Sequence, residues 1–382
     1  MRILHVSDCY LPRTGGIELH VRDLAGYQRR AGAEVTVATV TADPRDTTGQ
    51  VVRLPALGPF PHPLALAELN RMITSGGYDV VHAHSSLVSP LAGSAARAAA
   101  AAGTPAVMTM HSMLPTGVVA RALRTLAPHP ATDITWTAVS TAAAASLRGV
   151  LRGEDVSVLP NGIDPQDWAR DSPPPAAGPL TLVSVMRTAR RKRPLQLLDI
   201  LRTIRQQVPA SQRLRAILVG SGPLDGAIRR ELSATGLDRW VTHAGQLDRS
   251  GIRALLHRSD LYLAPAVLES FGIAALEARC AGLPVIGMAR GGISDFISEG
   301  TEGFLVDSDA AMAAQAARLL SEPARLHQIQ QHNRRNLPAI SWPRVLEQHW
   351  LVYAAAGAAA GEPLRSETMP WRGGSMSRLS GS

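Results

Sequence analysis

Hydrophobic positions along this chain fall into short apolar runs separated by longer stretches of helical period. Residues 2–7 (Arg-Ile-Leu-His-Val-Ser) alternate as a strand, 18–30 carry a helix, and the β-branched run 35–40 reads as a buried strand. Strands are predicted again at 78–84 (Tyr-Asp-Val-Val-His-Ala-His) and 105–110, with a helix of small residues at 92–102 between them. A helix over 116–126, a strand at 136–140, a helix over 141–151 and a strand at 156–159 follow. The Pro-rich segment 171–179 (Asp-Ser-Pro-Pro-Pro-Ala-Ala-Gly-Pro) then interrupts the pattern as a linker. Beyond it the alternation resumes: strands at 180–185, 215–219, 240–243, 261–264 and 284–287, with helices between them and at 310–320, 323–333 and 343–353. Alternating strands and helices predict parallel sheets with ligands at the carboxyl ends of the strands. The expected organisation is a first α/β domain over 1–170, a linker over 171–179 and a second α/β domain over 180–340. Residues 341–356 form a C-terminal helix packing back toward the first domain, and 357–382 a disordered tail. Loops facing one another across an interdomain cleft are the expected ligand site.

Composition narrows the function classes. At 382 residues, 45% hydrophobic and 18% charged, the chain can bury large cores and is not a disordered chain. Cys9 and Cys280 lie far apart, which argues against a disulfide framework or zinc site and suits a reducing compartment. The opening Met1-Arg-Ile-Leu-His-Val-Ser lacks the apolar core of a signal peptide, and long apolar runs are missing, so the expected location is the cytoplasm. The net charge of +8 raises nucleic acid as a partner, yet residues 1–170 hold 14 Arg against 13 acids and no aromatic-interleaved basic strand occurs. Nucleic acid is therefore not expected. Between 97 and 152, Arg97, Arg121, Arg124, Arg148 and Arg152 face a single acid, Asp133, a bias that suits a phosphorylated acceptor or peripheral contact with the inner face of the cell membrane. Of the 39 lysines and arginines only Lys192 is a lysine.

Candidate chemistry concentrates in Pro265–Gly287, which reads as loop, helix, tight turn and buried strand. Ser270-Phe-Gly272 can turn backbone N–H groups toward an anion at the helix start. Glu269 and Glu277 bracket that junction, and Glu277 offers an acceptor pair for a vicinal diol. Phosphate donors beside a diol acceptor are what a nucleotide requires. In the first half, Gly15-Gly16 opens a helix after the first strand without the dinucleotide spacing, and His84 and His111 end strands. His82 and His84 alone make an unconvincing metal pair.

Together with Asp79-Val-Val-His-Ala-His84, Thr109-Met-His111, Val158-Leu-Pro-Asn-Gly-Ile-Asp164, Gly220-Ser-Gly-Pro223 and Gly300-Thr-Glu-Gly-Phe-Leu-Val306, these features resemble a retaining glycosyltransferase of the GT4 family, with its E-x7-E motif at Glu269 and Glu277. The likeness runs from Met1 to about Tyr353. It implies a GT-B fold of two Rossmann-like domains, with a nucleotide-sugar donor held mainly by the second. By this resemblance Arg187 and Lys192 neutralise the donor diphosphate, Glu277 accepts the ribose hydroxyls, and Glu269 contacts the donor sugar. The amides of Ser270, Phe271, Gly272 and Ile273 cradle phosphate and sugar oxygens, and Gly15 and Gly16 close on the diphosphate. Gly245, Gln246 and Leu247 line the base pocket, and His111 reaches the sugar and phosphate at the reaction centre. The catalytic set is thus His111, Arg187, Lys192 and Glu269.

The implied reaction is front-face displacement with retention, giving an α-linkage without a metal or other cofactor, the nucleotide-sugar being a substrate. A small molecule, lipid or glycan supplies the acceptor hydroxyl. Met186 stands where the commoner family pattern has Gly, and Arg190, Arg191 and Arg193 crowd Lys192, so which cation meets which phosphate stays open. The competing functions are a nucleotide-sugar 2-epimerase, which would need further acid/base groups, and a non-catalytic sugar-nucleotide binding protein.

Overall fold

In the computed structural model, residues 1–46, 49–58, 60–114, 133–151, 155–170 and 178–361 are described. Each half of the chain is built on one parallel sheet. Strand β1 (Arg2–Ser7) is buried from Ile3 onward and pairs in parallel with β2 (Glu34–Thr39) on one side and β6 (Val80–Ser85) on the other. With β3 (Val51–Arg53), β7 (Ala106–Met110), β8 (Ile134–Ala138) and β9 (Val156–Val158) the order is β3-β2-β1-β6-β7-β8-β9. Helices α1 (Gly16–Arg30), α2 (Pro63–Ser75), α3 (Pro90–Ala101) and α4 (Thr141–Leu151) connect these strands, and β4 (Ala56–Leu57) pairs antiparallel with β5 (Phe60–Pro61).

The stretch 41–77 carries no element in the sequence pattern, yet β3, the β4–β5 pair and α2 lie there. The strands are too short to show a period. Helix α2 starts from His62, whose Nδ1 accepts from Leu64 N at 3.1 Å, a cap outside the usual Ser/Thr/Asp/Asn set.

The division between the two compact units corrects the expected boundary. One unit comprises Met1–Gly162 with the segment from Ile340, and the other Ile163–Ala339. Residues just after Gly162 belong to the second unit because α5 (Pro165–Trp168) is tied there. Trp168 is 1% exposed beneath the Arg249 guanidinium, 5.2 Å from its ring. Nε2 of His257 donates to the Trp168 carbonyl at 2.9 Å, and Arg170 donates to the His257 carbonyl at 2.8 Å. Of the expected linker 171–179, residues 171–177 lie outside the described residues, as do Arg121, Arg124 and the helix expected around them.

The second sheet runs β12-β11-β10-β13-β14-β15 and is wholly parallel. Its strands are β10 (Leu180–Val185), β11 (Leu214–Val219), β12 (Val241–Gly245), β13 (Leu261–Ala264), β14 (Val285–Met288) and β15 (Gly303–Val306). Helices α6 (Pro194–Gln207), α7 (Asp225–Thr235), α8 (Arg249–Leu256), α9 (Ile273–Cys280), α10 (Asp309–Ser321) and α11 (Pro323–Arg335) accompany them. Leu197, Leu201 and Ile204 of α6 join Leu182, Leu218, Ile286 and Met312 in an aliphatic core. Strand β15, absent from the sequence expectation, explains the Gly300–Val306 motif. A Cβ at Gly303 would lie 2.0 Å from the Val285 carbonyl oxygen, so only glycine lets β14 and β15 pair. Glu302 is a brace, meeting Arg279 at 3.1 Å and accepting from Ser298 N at 2.8 Å, and these contacts hold its carboxyl low despite burial.

Helix α12 (Trp342–Ala359) returns to the first unit. It supplies Trp342, Trp350 and Tyr353 to a core with Ile3, Val21, Leu24, Val35 and Val37. The Trp342 ring stacks on Tyr27 at 4.7 Å and on His20 at 5.6 Å. The helix runs past the expected end because Ala354–Ala360 is an alanine run broken only by the buried Gly357. The tail therefore does not begin at 357, and residues 362–382 lie outside the described residues. No helix among the described residues is long and apolar enough to cross a membrane. Trp342→Ala should lower the unfolding free energy by about 3–5 kcal/mol, the usual cost of removing a buried tryptophan, with urea denaturation as the check. An unchanged midpoint would mean α12 contributes no core.

Candidate active site

In the second sheet the order reverses between β10 and β13, which pair as Leu182↔Leu261 and Val183↔Tyr262. Their onward connections leave in opposite directions, so the loops at their carboxyl ends border a crevice, the usual ligand position in such sheets. The β10 loop carries Arg187 and Lys192, and the β13 loop Glu269 to Gly272.

The β10 loop is braced by its neighbour. Gly220, at φ +129°, lies so close that a Cβ there would sit 1.8 Å from the Met186 carbonyl oxygen. Asp225 accepts from the Thr188 hydroxyl and, at 3.0 Å, from Gly222 N, and Leu224 N donates to the Thr188 carbonyl at 2.9 Å. The Gly220-Ser-Gly-Pro motif thus shapes the Arg187 turn. Arg187 itself is exposed.

The crowd of cations around Lys192 resolves by partner. Arg193 adopts the left-handed region at φ +60°, a strained position for a non-glycine residue. Its guanidinium is spent on both Asp309 oxygens at 2.8 and 2.7 Å and on the Pro265 carbonyl at 2.9 Å, tying the two loops together. Arg190 and Arg191 are exposed. Lys192 Nζ donates to Glu269 Oε2 at 2.5 Å, with the side chains 29% and 15% exposed.

Glu269 is held by a segment that the sequence did not mark as functional. Gly292 N donates to the Glu269 carbonyl at 2.8 Å, and a Cβ at Gly291 would sit 2.9 Å from that same oxygen. Ile293 fills the space beside Gly272 and Gly287, where added Cβ atoms would lie 2.8 and 3.0 Å from it. The Gly291-Gly-Ile293 loop after β14 therefore clamps the Glu269 loop; its only sequence signal is the glycine pair. Phe271 is buried against Phe296, ring centres 5.7 Å apart, which anchors the turn. Gly272, at φ +91°, caps α9, whose first amides have no partner within the helix. Ser270, Ile273 and Glu277 are half-buried, with Glu277 one turn into α9.

Gly245 and Gln246 adjoin the Gly220 loop, and Leu247 follows them with its side chain against Gly251. Gly220 N donates to the Gly245 carbonyl at 2.7 Å and the Ser221 hydroxyl to Gln246 Oε1 at 3.2 Å.

In the first unit, Gly15 precedes α1 in extended conformation, and a Cβ there would lie 2.5 Å from a Glu18 oxygen. Glu18 is buried and paired with Arg13 at 2.9 Å, while Gly16 is exposed. His111 follows β7 and its Nε2 meets His84 Nδ1 at 3.0 Å. His84 Nε2 in turn meets His5 Nδ1 at 2.8 Å. Sequence reading missed His5, which stands on β1, far along the chain from the other two. One nitrogen each from His5, His82 and His84 fall within 4.8 Å of one another, but every ring nitrogen of the three already has a protein partner, so a cation would have to displace hydrogen bonds. Burial holds His5 and His111 down to about 3 and His349 to about 4. His20, His82 and His84 are pushed well below the usual imidazole range by burial first and neighbouring histidines second.

Two family profiles together cover residues 14–336: "Glycosyltransferase Family 4" over residues 14–167 and "Glycosyl transferases group 1" over 166–336. The chain is a family 4 glycosyltransferase. The D-inositol 3-phosphate glycosyltransferase of Arthrobacter sp. (strain FB24) is 28% identical to it over 81% of this chain and 82% of that one. A glycogen synthase of Mycobacterium tuberculosis is 28% identical over 95% and 97% of the two chains. Among solved structures, Anabaena Alr3699/HepE in complex with UDP superposes with TM-score 0.74 at 20% identity, covering 93% of this glycosyltransferase and all 100% of HepE. Sucrose-phosphate synthase from Thermosynechococcus elongatus gives 0.70 at 21% identity, over 94% and 99%. These likenesses establish the GT-B class of α/β fold anticipated from the sequence.

The buried histidines of this glycosyltransferase make a pH prediction. An unfolded histidine takes up a proton as pH falls below about 6.5, whereas folded His5 and His111 stay neutral to about 3 and His349 to about 4. Between those limits the unfolded state binds more protons, so stability falls with falling pH, by about 1.4 kcal/mol per pH unit for each fully titrating histidine. The thermal midpoint should drop clearly from pH 7.5 to 5.0, a window in which ordinary carboxylates hardly titrate. A flat midpoint would show that these rings take up protons in the folded state.

Proposed function

We propose that this glycosyltransferase moves a sugar from an α-linked nucleotide-sugar, UDP- or GDP-linked, to an acceptor hydroxyl with retention of configuration. The carrying observation is the Lys192–Glu269 ion pair at the crevice between β10 and β13. Without donor, the carboxylate neutralises the ammonium. A diphosphate entering the crevice takes over Lys192 as its counter-ion and frees the Glu269 oxygens for sugar hydroxyls. One exchange serves both ends of the donor.

The remaining roles follow from chemistry around that pair. Arg187, exposed and without the partners that occupy Arg193, adds a second cation for the diphosphate. The leading amides at Ser270, Phe271, Gly272 and Ile273 suit phosphate and sugar oxygens. Glu277 is assigned the ribose hydroxyls, Gly245, Gln246 and Leu247 the base, Gly15 and Gly16 close backbone approach to phosphate, and His111 a hydroxyl contact in transfer. Ammonium, guanidinium and helix amides supply the charge stabilisation that a divalent cation would otherwise give, so the reaction is proposed to be metal-independent. The departing phosphate oxygen takes the acceptor proton as the new α-glycosidic bond forms on the same face. HepE, solved with UDP and with UDP-glucose, supports a donor of this class. The relatives differ in acceptor by name, an inositol phosphate in one and glycogen in another, so the acceptor is left as a small molecule, lipid or glycan.

A thermal-shift screen of UDP, GDP and their sugars identifies the donor, and product formation then gives rates. Lys192→Ala and Glu277→Ala should each lose about 2–4 kcal/mol of transition-state stabilisation, roughly 30- to 1,000-fold in kcat/KM. Chelator should leave the wild-type rate unchanged, and the product should show an α-anomeric coupling. Wild-type rates in either variant would sink the assignment, and activity lost to chelator and restored by a divalent cation would overturn metal independence.

A further inference from the structure

A single line of side-chain hydrogen bonds runs through the first unit from His111. His111 Nε2 meets His84 Nδ1 at 3.0 Å, His84 Nε2 meets His5 Nδ1 at 2.8 Å, and His5 Nε2 meets Gln28 Oε1 at 2.6 Å. Gln28 Nε2 donates to the Tyr353 hydroxyl at 3.0 Å, and that hydroxyl meets His82 Nδ1 at 2.8 Å. His82 Nε2 meets Thr109 Oγ1 at 2.6 Å, Thr109 Oγ1 meets Thr137 Oγ1 at 2.6 Å, and Thr137 donates to the Met108 carbonyl at 3.5 Å. All of these side chains are buried.

The line has a direction. Gln28 Oε1 can only accept, so His5 carries its proton on Nε2 and presents Nδ1 as an acceptor. His84 must then donate from Nε2 and accept at Nδ1, which forces His111 to donate from Nε2. On the other side, Gln28 Nε2 can only donate, which turns the Tyr353 proton toward His82 Nδ1. His82 then donates to Thr109, Thr109 to Thr137, and Thr137 to a carbonyl that can only accept. Every donor points the same way, and a neutral imidazole with one proton satisfies each link.

We propose that Gln28, backed by Tyr353, is a positioning residue that locks His111 into its Nε2–H tautomer through His5 and His84, leaving Nδ1 as an acceptor for a ligand hydroxyl. His111 therefore recognises a hydroxyl hydrogen and does not serve as a cation for phosphate. His20, whose ring centre lies 5.3 Å from that of His111, has a buried Nδ1 with no protein partner, so it does not compete for the His84 bond. Arg29, on the same helix as Gln28, has its guanidinium on the Val35 carbonyl, outside the line. The inference rests on the proposed role of His111 in transfer, but the tautomer can be read without any donor.

Imidazole nitrogen-15 NMR of the full chain at pH 7.5, with the His111 signals assigned by His111→Asn, is the test. Wild type should show His111 protonated on Nε2 with a bare Nδ1. Gln28→Met, similar in volume and unable to orient His5, should give a mixture of His111 tautomers, as should Tyr353→Phe, which lets the Gln28 amide turn over. Gln28→Glu, whose carboxylate can only accept from His5, should keep the wild-type tautomer. Turnover should follow: about 10-fold lower kcat in Gln28→Met with donor KM changed little, and recovery of most of that loss in Gln28→Glu. Wild-type His111 protonated on Nδ1, or one unchanged His111 tautomer in both Gln28→Met and Tyr353→Phe, overturns the proposal. Normal tautomer behaviour with no effect on kcat instead refutes the role of His111 in transfer.

Discussion

The site depends on one topological constraint, the antisense departure of the chain from the neighbouring strands β10 and β13. Their pairing fixes the two carboxyl ends side by side, while the sheet grows outward from each in opposite directions. Two loops of unlike charge meet there, the β10 loop with Arg187 and Lys192 and the β13 loop with Glu269. Arg193 accepts a strained backbone to hold one loop against the other, and Gly291-Gly-Ile293 fixes the far side. With the loops so restrained, Lys192 and Glu269 meet at 2.5 Å. In a chain that uses arginine almost everywhere else, an ammonium at this point makes physical sense. Its compact charge can exchange one oxyanion for another without the fixed fork geometry of a guanidinium.

The first unit solves a different problem. Its central strands bring polar residues to a fully buried layer, where each unpaired group would cost free energy. Linking the groups from His111 to Thr137 in one directional line removes that cost for them, because each donor in the line meets an acceptor. The arrangement leaves little freedom: a change that removes a member's donor or acceptor role frees the proton positions of all those between it and His111. Helix α12 is part of the arrangement through Tyr353, so the last helix of the chain both closes the core and supplies a link.

Much of the second unit was legible in the sequence because parallel strands buried on both faces write themselves as apolar runs, and the loops after them carry glycine. The loop with Glu269, the turn with Arg187 and the helix bearing Glu277 could all be placed from that pattern. What escaped was set by long-range contact. Strand β15 has only Phe304, Leu305 and Val306 after its opening glycine, too short a run to show a period, and its pairing is visible only beside β14. The unit boundary was misplaced because Trp168 lies on the near side of the Pro-rich stretch while its partners His257 and Arg249 lie far along the chain. His5 looked like one polar residue in an ordinary edge of periodicity. Its meaning comes from β1 lying beside β6, a separation of 79 residues to His84 that no local pattern records.

On the proposed donor assignment, pairing Lys192 with Glu269 would also shape selectivity. A nucleotide diphosphate alone would draw the ammonium away and leave a largely enclosed carboxylate without its counter-ion, a costly state. A donor that carries its sugar would, in that proposal, give the carboxylate hydroxyl partners in return. The same exchange would therefore favour the intact donor over the product that has lost its sugar, through charge compensation rather than through added contact area. After transfer, the returning Glu269 would compete with the diphosphate for Lys192 and so assist its departure. A site that binds its substrate by displacing an internal anion, as proposed, would thus carry its own means of releasing the product.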